Sequence, residues 1–81
     1  MNTALQHEQA VEAAIEARYQ YRSTTQLWDD YQTAMSESDA FAREYDIARH
    51  NHDKAAAAAA ADRWNKASDE AAAIAYALSV R

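Results

Sequence analysis

Apolar residues recur at helical spacing along almost the whole chain. A first stripe runs Leu5, Val11, Ile15, Tyr19, with Ala4, Ala10, Ala14 and Ala17 beside it. It resumes as Trp28, Tyr31 and Met35, spaced three and four. A later stripe takes in Phe41, Tyr45, Ala48, His52, Ala55 and Ala59, then continues as Trp64, Ala67, Ala71, Ile74 and Leu78. Residues three and four apart share one face of a helix, so each stripe predicts an amphipathic helix. The last stripe is a heptad-like, coiled-coil seam. Its phase shifts inside Ala55–Ala61, where every face is equally apolar.

Few signals interrupt this pattern. The chain of 81 residues has no glycine and no proline, and 22 of its residues are alanine. Glycine and proline punctuate helices, and alanine favours them most. Thr3-Ala-Leu-Gln6 reads as a capping box that starts the first helix. Ser23-Thr24-Thr25-Gln26 reads either as a second capping box or as helix interior. The interior is expected, because no residue there suits a left-handed backbone. The expected break is Ser36-Glu37-Ser38-Asp39, where Ser36 or Ser38 supplies an N-cap and the acids suit the positive helix end. His50-Asn51-His52-Asp53 is a weaker break, with Asp53 as its cap.

The fold class that follows is all-α. Residues 1–81 form a single helical domain: a helix over about 3–36, a turn at 36–39 and a helix over about 39–79. The two long helices make an antiparallel hairpin. Turning there sets Glu12 against Arg63, Glu8 against Lys66 and Arg22 against Asp53. A second apolar row on the last helix (Ala72, Ala73, Tyr76, Val80) calls for another neighbour. A homodimer forming a helical bundle through Trp64, Ala67, Ala71, Ile74, Tyr76 and Leu78 is therefore expected.

Charge narrows the function classes. The net charge is −5, which argues against unaided nucleic-acid binding. Residues 29–53 alone carry seven acids against Arg43 and Arg49. In the hairpin these acids gather at the turn with aromatic residues. Trp28, Asp29, Asp30, Tyr31, Asp39, Glu44, Tyr45 and Asp46 become a candidate surface for a basic protein partner, the rings anchoring and the carboxylates steering. The plainer alternative is that the rings close a thin core and the acids keep it soluble.

Other chemistry has little to stand on. With no cysteine there is no disulfide or thiolate metal site. Asp46, His50 and Asp53 share a helical face, but a solvated polar face is the expectation and no metal or other cofactor is assigned. No nucleophile–base motif and no glycine-rich phosphate loop is present, so no enzyme is expected. There is no apolar run long enough for a membrane span. The first residues lack the basic and apolar parts of a secretory leader, so a cytoplasmic location is expected.

The expected function is a small acidic protein–protein interaction module. One version is a phage or mobile-element inhibitor that docks on a host nucleic-acid-binding protein by imitating phosphates. The rivals are a structural bundle-forming subunit, such as a virion component, and an RNA-binding helical-hairpin dimer using Lys54, Arg63 and Lys66.

Overall fold

A computed structural model describes the backbone from Thr3 to Arg81 and the side chains from Gln6 onward. Among the described residues the regular structure is all helix, in three helices: α1 (Thr3–Tyr19), α2 (Thr24–His50) and α3 (Lys54–Ser79). The expected two-helix hairpin with its turn at 36–39 is therefore corrected. Those four residues lie inside α2, and the two weaker breaks are the real ones. The capping box expected at Thr3–Gln6 rests on the Thr3 side chain, outside the described residues.

The first connection needs no left-handed residue, which is why the argument for an unbroken helix fails there. Ser23 sits in extended conformation (φ −69°, ψ 160°) and caps α2. Its Oγ accepts the Gln26 N–H at 3.1 Å, while Gln26 Oε1 accepts the Ser23 N–H at 2.9 Å. This is the reciprocal capping box, which satisfies two otherwise free donors. Arg22 then clamps the start of α2 through three contacts of 2.8–3.1 Å to both carboxylate oxygens of Asp30.

The second connection is a Schellman stop followed at once by a cap. The Asp53 N–H reaches the Ala48 carbonyl at 2.9 Å, and the His52 N–H reaches Arg49 at 3.1 Å. This pattern requires a left-handed residue at the position after the helix. His52 takes it, with φ 54°, the one positive φ among the described residues. Asp53 then accepts the Ala56 N–H at 3.1 Å and opens α3.

Helices α2 and α3 pair as an antiparallel hairpin along their length. From the turn to the middle of the hairpin the buried apolar positions are Ala48, Ala60 and Ala67. Small side chains let the helix axes approach closely. At the open end lies the larger core: Tyr19, Leu27, Ala34, Ala71, Ile74 and Ala77, with Ile15, Tyr31, Ala73 and Leu78 packed against it. Among the described residues only Leu27 and Ile74 are large side chains buried completely.

Helix α1 crosses one face of this open end. The Cα extents of 44 × 38 × 14 Å fit two helical layers in thickness. The 38 Å width exceeds that of two adjacent helices at roughly 8–10 Å spacing, because α1 overhangs. Its C-terminal turn is held by Arg81, which donates to the Tyr19 carbonyl at 2.8 Å, and by Tyr76, whose hydroxyl donates to Glu16 at 3.3 Å. From Gln6 to Ala14 every α1 side chain is exposed.

The relocated turn also changes the ion pairs. The expected pairs Glu12–Arg63, Glu8–Lys66 and Arg22–Asp53 do not form. Among the described residues the pairs are Arg22–Asp30, Arg18–Glu70 at 3.9 Å and Lys66–Asp62 at 3.2 Å.

Candidate functional site

The two flanks of α2 differ in what they meet. Asp30, Ala34 and Glu37 recur at spacing three and four on the flank facing α1. There they line a shallow cleft of about 300 Å³ with Arg18, Tyr19 and Glu70. Trp28 precedes Asp30 by two residues, about 200° around the helix, and so lies on the opposite flank. From it runs one row: Trp28, Tyr31, Met35, Asp39, Ala42, Asp46 and Arg49.

This second flank is open. Trp28 stands edge-on to Tyr31, with ring centroids 5.9 Å apart and planes at 88°. Both rings line a cleft of about 330 Å³ with Ala75, Leu78 and Ser79 of α3. Trp28 keeps 52% of its surface exposed and Met35 keeps 40%. An exposed tryptophan beside an exposed methionine is unusual on a chain with so few large apolar residues to spend.

The eight residues expected to share a tip are thus divided. Trp28, Tyr31, Asp39 and Asp46 lie along one flank, spread over about 27 Å of helix. Asp29 points outward beside Gln32, Thr33 and Ser36. Asp30 and Glu44 belong to the α1 flank, and Asp30 is occupied by Arg22. Tyr45 is half-buried inside the hairpin, 5.9 Å from the Trp64 ring and under the Arg49 guanidinium at 5.7 Å. For Tyr45 the plainer reading, a ring that helps close a thin core, is the one the geometry matches. Met35 stands in the sequence stripe but outside the expected docking set. Its membership of the exposed row follows only once Asp30 and Ala34 are known to face α1.

The residues expected to form a dimer seam have partners within the chain. Ala67, Ala71 and Ile74 are buried, and Leu78 packs on the same core. Trp64 rests against Tyr45, and Tyr76 bonds Glu16. The potential metal face is broken up as well. Asp46 and His50 line a broad depression with Arg49 and His52 at the turn, while Asp53 is engaged as the α3 cap. Among the described residues no group of three His, Asp or Glu side chains is arranged to hold a metal ion. Nor is any helix there long and apolar enough to cross a membrane.

Two phenols carry perturbed acidity. Burial pushes the Tyr19 hydroxyl above its ordinary value; Arg18 opposes this, and Glu70 and Asp30 add to it. Tyr76 is also raised, by desolvation first and then by the carboxylates of Glu12 and Glu16. Both effects hold the phenols neutral rather than activating them as nucleophiles.

Comparison with protein-family models, with curated proteins and with solved structures finds no match to this chain.

Proposed function

We propose that this protein is a non-enzymatic interaction module that docks on a basic protein surface through the open flank of α2. The observation that carries the reading is the row Trp28, Tyr31, Met35, Asp39 and Asp46, apolar at one end and acidic at the other, on the hairpin face away from α1. Aromatic residues and methionine are enriched at the centres of protein interfaces, where they supply contact area. Carboxylates beside them select a cationic partner and speed its approach. Inhibition of a nucleic-acid-binding protein is one form such docking takes, since those proteins present basic surfaces. A structural subunit assembled through α3 has less support, because Ala67, Ala71 and Ile74 are already covered by α2.

The test is capture of partners from a cell lysate by immobilised protein, read by mass spectrometry, in wild type and in the D39K/D46K and W28A variants. A basic partner retained by the wild type and lost by both variants, with helicity unchanged, is the expected result. Equal retention by all three removes the flank from consideration.

A further inference from the structure

The N-terminal half of α1 is an exposed arm whose contact with its own hairpin, among the described residues, is Glu12 beside the Tyr76 hydroxyl. From Gln6 to Ala14 it buries no side chain, and Val11 is 44% exposed. Val11, Ile15 and Tyr19 follow one another at spacing four, so they form one row. Ile15 and Tyr19 are packed on the hairpin core. The row therefore continues past the hairpin as bare apolar surface, flanked by Glu8 and Glu12. Among the described residues neither glutamate forms an ion pair, and Glu12 meets only the neutral Tyr76 hydroxyl. A free stretch of about two and a half turns is too short to be stable alone.

The matching surface is on α3. Glu70 meets Arg18 of α1. Lys66 and Arg63 precede Glu70 by four and seven residues, so they continue the same face toward the turn. Arg63 has no ion-pair partner among the described residues, and Lys66 has only Asp62, one turn away on its own helix. The arm of the same chain does not reach them, because Glu12 and Glu16 lie at Tyr76, about 15 Å along α3 from Lys66. On the α2 side that face carries Glu37 and Glu44, whose charge disfavours an acidic arm there.

We propose that a second copy of this chain supplies the missing contacts. Two molecules associate about a two-fold axis, each laying its arm on the α3 of the other. Glu8 and Glu12 then face Arg63 and Lys66, and Val11 covers the alanine surface beside them. A two-fold interface repeats each contact, so every complementary pair counts twice. This surface is distinct from the Trp28 flank, and its failure leaves the docking proposal untouched.

Charge exchange tests it. Wild type measured by sedimentation velocity at high concentration and low salt is expected at twice the mass of one chain, moving toward one as salt rises. E8K/E12K and R63E/K66E should each weaken the dimer roughly tenfold or more. Mixing the two variants should restore a dimer of one chain of each kind, since each then carries the sign its partner lost. The exchanged residues are exposed, and circular dichroism checks that helicity is kept. A wild type that stays at the mass of one chain overturns the proposal, whether the arm is free or folds onto its own α3. So does a dimer whose stability neither charge reversal changes, or two weakened variants that fail to pair on mixing.

Discussion

Ser38 and Ser68 meet across the hairpin with their hydroxyl oxygens 3.0 Å apart. Ser38 belongs to the segment whose residues argue most strongly for a turn, yet it is buried in mid-helix. A lone buried hydroxyl costs about 1–3 kcal/mol, whereas a paired one contributes slightly. Here each serine is the other's partner, and the bond also fixes which turn of α2 faces which turn of α3. Replacing Ser38 with Ala should lower stability by about 1 kcal/mol, and S68A should do the same. The double variant should recover most of that loss, because no unpaired hydroxyl remains. Denaturant unfolding of the four proteins gives the coupling directly.

His52 holds the left-handed position of the turn at φ 54°. A side chain with a Cβ pays roughly 1–2 kcal/mol to sit there, and glycine does not. Glycine loses some of that advantage through its freer unfolded chain. H52G should still raise stability by about 0.5–1 kcal/mol. Removing the neighbouring cap with D53A should lower it by about 1 kcal/mol. Opposite signs at adjacent exposed positions, read from thermal midpoints, check that this segment is the turn. A destabilising H52G would mean that the imidazole makes a contact that offsets its backbone strain.

Helix content was legible because it follows from alanine, from the missing glycine and proline, and from apolar spacing. The connections were not, because each uses side chains for work usually done by glycine or proline. At Ser23 the capping box was present in the letters, but nothing local decides between a cap and a helix interior. Packing at a distance decides it: with the break at Ser23, Tyr19 of α1 and Leu27 of α2 both reach the core around Ile74 of α3. At His52 a histidine does what glycine normally does. Ser36 and Ser38 are the converse case: a serine is tolerated in mid-helix where its hydroxyl faces solvent, as at Ser36, or finds a partner across the interface, as at Ser38. Once the turn moved, the supposed tip became a flank about 27 Å long, with only some of the expected acids on it.

Leu27 tests how much depends on the small core. It is fully buried at the second turn position of α2, where all three helices come together. Leucine-to-alanine changes at such sites cost about 2–5 kcal/mol. Small domains have only about 5–15 kcal/mol in total, and this one has few large buried side chains. L27A should therefore be largely unfolded at moderate temperature by circular dichroism. I47A, at a position left 61% exposed, should change stability by less than about 0.5 kcal/mol.

Tyr19 links packing to alkaline pH. Its ring is buried, and its hydroxyl is enclosed without a hydrogen-bond partner. Burial is the first cause of its raised pKa, with Glu70 and Asp30 adding and Arg18 opposing. The folded protein thus holds this proton more tightly than the unfolded chain does. The associated stability is complete below the ordinary phenol value of about 10 and is lost as pH rises through the higher folded value. Unfolding should accordingly become easier above about pH 10. Replacing Tyr19 with Phe keeps the ring and removes the orphan hydroxyl, whose burial costs about 1–3 kcal/mol. Y19F should therefore gain about 1 kcal/mol near neutral pH and show a shallower alkaline decline. Denaturant midpoints followed across pH measure both effects, and ultraviolet absorbance of the phenolate shows which tyrosine titrates last. A less stable Y19F would mean that the hydroxyl has a partner in solution, and the alkaline decline would then be assigned to Tyr76, held neutral by desolvation and by Glu12 and Glu16.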